Sequence, residues 1–156
     1  MKQSVVAIVL IGLVAAPSTN VEARTIKRIH GAIAKSRKKI RSACGCDVSF
    51  RYSKRLDFTN AYGSDMMYNI QRQVEDIGSA VARYCKKGGP WKAKLCRLVH
   101  SVTISETKLS NPYTEHRGAD LVSYVCTKNP KQLMHHSAIW LRPYMTTGKM
   151  PKKPSS

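Results

Sequence analysis

Cys44-Gly45-Cys46 closes a stretch, residues 26 to 46, that carries seven basic side chains and no acid. Two thiols one residue apart beside Arg41 have chemistry open to them, because nearby positive charge lowers a thiol pKa and favours thiolate. A redox pair would need a CxxC or a thioredoxin-like βαβ context, and neither is present. The remaining cysteines are Cys85, Cys96 and Cys126. Cys85 ends a helical pattern and Cys96 follows eleven positions later, so this pair is expected to clip the helix to the next strand. In the loop-entropy account so short a link contributes about 2.5–3 kcal/mol. Cys126 is then left for Cys46 or Cys44, closing a long loop worth roughly 4–5 kcal/mol. Strand parity favours Cys46, which leaves Cys44 as the expected free thiol and a possible route to a disulfide-linked homodimer.

Other constellations are thinner. Of the five histidines, His135 and His136 are adjacent and would point to opposite faces of a strand, and His100 sits on an apolar strand pattern. No HExxH is present, and no metal or cofactor is expected. Lys94, His100 and His135 could serve a small basic ribonuclease as cation, base and acid, although nothing in their spacing demands it. The chain has no GxSxG, no phosphate-binding glycine loop and no carboxylate pair at a useful spacing. Catalysis is therefore not the expectation.

Charge carries more information. The chain has 27 Lys and Arg against 9 Asp and Glu, a net charge of +18. Residues 24 to 55 hold eleven of these cations against Asp47 alone, and residues 83 to 97 hold six with no acid. Such asymmetry implies a basic face and an anionic partner: a polyanion, lipid headgroups, a cell-envelope polymer or an acidic protein. The expected binding residues are Lys27, Arg28, Lys35, Arg37, Lys38, Lys39 and Arg41, with Lys86, Lys87, Lys92 and Lys94. Trp91 lies within the second group. Aromatic residues are too few for a single-strand stacking platform.

The elements that must position these groups follow from periodicity. Residues 1–23 have a short basic start, an apolar run from Val5 to Ala16 and a small-x-small site at Val21-Glu22-Ala23. This is the pattern of a secretory signal peptide cleaved near Ala23, and it is too short to span a bilayer. Lys2 and Glu22 leave with it, so the net charge is unchanged. The leader and compact size are of bacterial type, placing the chain in the periplasm or outside the cell. Residues 24–45 form a cationic helical arm with Ile26, Ile29, Ile33 and Ile40 on one stripe. That stripe either docks on the domain or lies in a headgroup layer.

Residues 46–144 read as one α+β domain. Cys46, Val48, Phe50 and Tyr52 alternate as a half-buried strand, with Leu56 and Phe58 extending it. Residues 64–87 form one long amphipathic helix through Met67, Ile70, Val74, Ile77, Val81 and Cys85, stopped by Gly88-Gly89-Pro90. Strands are expected in residues 97–105, 119–127 and 137–144, with a polar loop over 106–118 and a disordered tail over 145–156. The expected fold is a disulfide-stapled α+β domain: one long helix on a four-stranded, mostly antiparallel sheet. Its leading expected role is non-catalytic binding of an anionic partner. The alternatives are a periplasmic inhibitor or immunity-type protein that binds an acidic protein, and a small basic secreted hydrolase.

Overall fold

The computed structural model describes residues 18–53, 63–129, 131–132, 140–150 and 152. Most of the expected leader, Leu56, Phe58, His135, His136, the start of the expected last strand and the final tail residues lie outside the described residues. The elements are α1 (Ser18–Cys44), β1 (Ser49–Tyr52), α2 (Gly63–Cys85), α3 (Pro90–Leu98), β2 (Ser101–Thr107), β3 (Tyr113–Arg117), β4 (Asp120–Cys126) and α4 (Arg142–Thr147). α1 runs unbroken through the expected cleavage point after Ala23.

Two long helices, rather than one, cover the sheet. The isoleucine stripe of α1 docks on α2: Ile29 and Ile40 are fully buried, Ala32, Ser36 and Cys44 nearly so, and Ile33 is partly buried against the same core. Full burial of each isoleucine contributes about 1.5–3 kcal/mol. Residue numbers rise together across the interface. Ser36 Oγ donates to the Val74 carbonyl at 3.1 Å, Lys39 Nζ donates to Ser79 Oγ at 3.0 Å, and Cys44 bonds Cys85. The helices therefore run parallel. They cross closely at Gly78, where a Cβ would stand 2.5 Å from the Ser36 Cβ.

The sheet order is β1-β2-β4-β3, and it is mixed. β1–β2 and β2–β4 are parallel and only β3–β4 is antiparallel, which corrects the mostly antiparallel expectation. The cause is the chain path. α2 and α3 lie between β1 and β2, and a strand that returns after a helical crossover pairs in parallel. β3 and β4 form a hairpin whose two-residue turn begins at Gly118, with φ of 63°. The hairpin seats its second strand beside β2. Part of the segment expected as polar loop is thus strand β3.

Val102, Ile104, Leu121, Ser123 and Val125 face the helices, with Phe50 and Tyr52 in matching register. A satisfied polar chain crosses this layer: Ser123 Oγ donates to Gln73 Oε1 at 2.6 Å, and Gln73 Nε2 donates to Asn69 Oδ1 at 2.9 Å. Two further expectations are corrected at the C-terminus. Residues 140–144 are not strand: Trp140 and Leu141 are buried in a helical turn that leads into α4, whose first turn tolerates Pro143 because its missing N–H would have no helical partner. The tail does not begin at 145, since Met145 is buried and α4 continues to Thr147.

The disulfides are Cys44–Cys85 and Cys46–Cys96, not Cys85–Cys96 and Cys46–Cys126. Parallel docking of α1 on α2 brings their C-terminal ends together and gives Cys85 to Cys44. Gly88 and Gly89 turn the chain into α3, which carries Cys96 to Cys46. Cys46 precedes β1, at the end of the sheet where Ser49, Ser101 and Asp120 align, whereas Cys126 ends β4 six residues beyond Asp120. Six extended residues span about 20 Å, far beyond the roughly 7 Å limit for Cα atoms of a disulfide. The free thiol is therefore Cys126 and not Cys44. It is fully buried and donates to the Leu109 carbonyl at 2.9 Å, so it offers no route to a covalent dimer.

Candidate functional site

Docking of α1 through one stripe turns its cations outward. Lys27, Arg28, Lys35, Arg37, Lys38, Lys39 and Arg41 are all exposed. The helix repeat divides them between two flanks. On the flank toward α2, Lys35 and Lys39 line a small groove with Ser36, Arg72, Glu75, Asp76 and Ser79. On the flank toward β1, Arg37 and Arg41 meet Asp47. Lys27, Arg28, Lys35 and Lys38 make no ion pair among the described residues.

Asp47 is held between two arginines. Arg37 donates through Nε to Oδ1 at 3.2 Å and through Nη2 to Oδ2 at 2.5 Å, and Arg41 Nη2 donates to Oδ2 at 2.6 Å. Hydrogen bonds from Arg37 and then Arg41 hold the Asp47 carboxyl down at about 2, against 3.8 ordinarily, and Asp47 raises Arg37 in turn. The segment that presents Asp47 is fixed from both sides, since Cys44 is bonded to α2 and Cys46 to α3.

Beside this clamp runs a groove of about 470 Å³ between α1 and β1. Ile33, Ala34, Phe50 and Tyr52 give it an apolar floor, and His30, Arg37 and Arg51 stand along it. The Tyr52 hydroxyl lies 3.4 Å from His30 Nε2. A second recess on α1, lined by Ala34, Arg37, Lys38 and Arg41, shares Ala34 and Arg37 with this groove. Arg51 is tied to the open sheet face, with Nε donating to Thr103 Oγ1 at 2.8 Å and Nη2 to Asp120 at 3.2 Å.

The second basic block joins the first at the disulfides. Gly45 follows the last residue of α1, and a Cβ there would stand 3.6 Å from the Lys92 ammonium. At the α2–α3 corner Lys87 lies over the rings of Tyr84 and Trp91, at 4.5 and 5.5 Å from their centroids, and Lys94 lies 6.0 Å from that of Tyr144. Lys86 and Lys92 are exposed. The two staples thus bring blocks some forty residues apart in the chain to one end of the molecule.

The catalytic candidates are not assembled. Lys94 belongs to the Tyr144 contact, His100 is exposed at the bend before β2, and His135 lies outside the described residues. His116 faces the helices. Its Nε2 accepts from Trp140 Nε1 at 3.2 Å, and its ring stacks on Tyr144 with centroids 4.9 Å apart. Burial pushes the His116 pKa down, against the opposing pull of the Gly118 backbone and the Asp120 charge. Among the described residues no cluster of His, Cys, Asp and Glu is arranged to hold a metal ion.

Sequence reasoning found Arg37, Lys38 and Arg41 but missed their companions His30, Phe50, Arg51 and Tyr52. The signal for Phe50 and Tyr52 was present as strand alternation. That strand lies beside α1 because the chain reverses at Gly45, whose φ is 76°. Comparison with protein families, with curated proteins and with solved structures found no match.

Proposed function

We propose that this chain is an exported, non-catalytic binding protein that takes an anionic partner on the outward face of α1 and the adjoining α2–α3 corner. The observation that carries the proposal is the partition of α1: Ile29, Ala32, Ser36 and Ile40 are buried in the core while all seven cations between Lys27 and Arg41 remain in solvent. Among the described residues Asp47 meets these cations on the flank toward β1, and Glu75 and Asp76 adjoin Lys35 and Lys39 on the flank toward α2, so the seven cations still outnumber the acids beside them. Such a surface raises the local concentration of anions and steers their approach.

An envelope polymer or other polyanion is favoured over insertion into a bilayer. Ile29 and Ile40, two of the isoleucines that would enter headgroups, are fully buried in the core, and the one exposed large hydrophobic residue among those described, Tyr68, lies on α2. No helix among the described residues is long and apolar enough to cross a membrane. A site outside the cytoplasm agrees with two disulfides. A second reading, an acidic protein as partner, draws support from the apolar floor of the α1–β1 groove, which a uniformly polar polymer would leave unused.

The test is titration of the full chain with inorganic polyphosphate, a DNA duplex and anionic vesicles at 50 and 200 mM salt. A grip on about six phosphates loses near 10³-fold across that range. Absence of binding to every probe at low salt would contradict the proposal.

A further inference from the structure

The clamp and the groove beside it share Arg37, and together they are more selective than a charged surface needs to be. One carboxylate orients two guanidiniums, so much of the entropy of ordering two long side chains is already lost before a ligand arrives. Three N–H donors point at Asp47. The larger share of the donors on both guanidiniums is left for another acceptor, and the triad keeps a net positive charge. A partner carboxylate meeting this fork would gain charge-assisted and directional bonds. Next to it, Ile33, Phe50 and Tyr52 offer apolar surface that no phosphodiester or sulfated backbone would use.

We infer that the α1–β1 groove is a docking site for an extended acidic segment of a partner protein, with its carboxylates at Arg37 and Arg41 and an apolar side chain on Phe50 and Tyr52. The inference rests on the proposal that the α1 face meets an anionic partner, and it selects a protein over a polymer for this flank. Length supports the choice. From His30 to Arg41 the groove and the recess that adjoins it follow α1 for about 16 Å, the span of about five extended residues. Its open form suits a segment laid along it, whereas small-molecule sites enclose most of the ligand.

The test uses the full chain and two labelled peptides of equal charge: one alternating Asp with Phe and Leu, the other alternating Asp with Ala. A DNA duplex serves as the polymer control. Asp47→Asn separates the two kinds of binding because it adds net positive charge while releasing the fork. The groove predicts that the Phe/Leu peptide binds more tightly than its Ala counterpart. It also predicts that Asp47→Asn and Arg37→Lys each weaken the Phe/Leu peptide by about tenfold, while duplex binding is unchanged or stronger in Asp47→Asn. Both substitutions are at exposed positions, so loss of fold does not confuse the outcome. Equal binding of the two peptides, with Asp47→Asn strengthening both, would overturn the groove and leave the anionic surface standing. Failure of the peptides and the duplex alike would overturn both.

Discussion

Arg37 and Asp47 stand ten residues apart in the chain and meet side on, Nε 3.2 Å from Oδ1 and Nη2 2.5 Å from Oδ2. Neither residue moves freely. Arg37 projects from a helix docked through Ile29 and Ile40, and Asp47 follows directly on a cysteine bonded to α3. Backbone, disulfides and ion pair therefore constrain one another at the junction of the two basic blocks.

This arrangement gives an acid limb to stability. The Asp47 carboxyl is lowered to about 2 in the folded chain, against 3.8 for the ordinary group. Its contribution is present above about pH 4 and is lost as pH falls through the folded value, because the unfolded chain takes up the proton first. Urea midpoints measured from pH 5 to pH 2 should fall less steeply in Asp47→Asn than in the wild type.

His116 works at higher pH and has its own signature. Burial lowers its pKa, so between the ordinary value near 6.5 and the folded one the unfolded chain binds more protons. Stability from the neutral ring is complete above about pH 6.5 and declines as pH falls below it. The Trp140 N–H donates to His116 Nε2, a bond that a protonated ring cannot accept. In His116→Gln, which keeps an acceptor, the pH dependence of the urea midpoint between 7 and 5 should be reduced.

Peptide mapping of the oxidised chain should return Cys44–Cys85 and Cys46–Cys96, with Cys126 alkylated only after unfolding. Replacing Cys46 and Cys96 together by Ser opens a loop of 50 residues and should cost about 2–4 kcal/mol. It should also weaken peptide binding at Arg37, because Asp47 is then held from one side only.

Gly78→Ala tests the parallel contact of α1 on α2. The added Cβ would meet Ser36 at 2.5 Å from its Cβ and 3.1 Å from its Cα, and backbone cannot step aside as a flexible side chain does. The expected cost is about 1–3 kcal/mol, seen as a lower urea midpoint with the slope unchanged.

Much of this architecture was legible in the sequence where periodicity was long. Met67, Ile70, Val74, Ile77, Val81 and Cys85 are all buried on α2, as the 3.6-residue repeat requires, and the same repeat put Ile29 and Ile40 inside. Short elements gave less warning. β3 has five residues, and its best signal was the turn at Gly118, which the polar composition around it obscured. α3 begins at Pro90, whose place after two glycines looked like punctuation although proline is well suited to start a helix. The disulfides were out of reach for a different reason. Loop entropy ranks loops by length and does not select partners. The pairing follows from the parallel docking of α1 on α2, a tertiary fact that no local pattern encodes. The groove shares that origin, since Phe50 and Ile33 meet only because the chain reverses at Gly45.

The central claim is that the solvent face of α1 grips an anionic partner, and one comparison tests it directly. Truncating the arm would remove Ile29 and Ile40 from the core, so charge must be removed instead. The full chain and a variant with Lys27, Arg28, Lys35 and Lys38 replaced by Gln would be titrated with a DNA duplex from 50 to 200 mM salt. The wild type should bind with a steep salt dependence. In the variant, the slope of log K against log salt should fall by about 0.9 for each phosphate that is no longer neutralised. Equal affinity and equal slope in the two proteins, or no binding by the wild type at low salt, would contradict it.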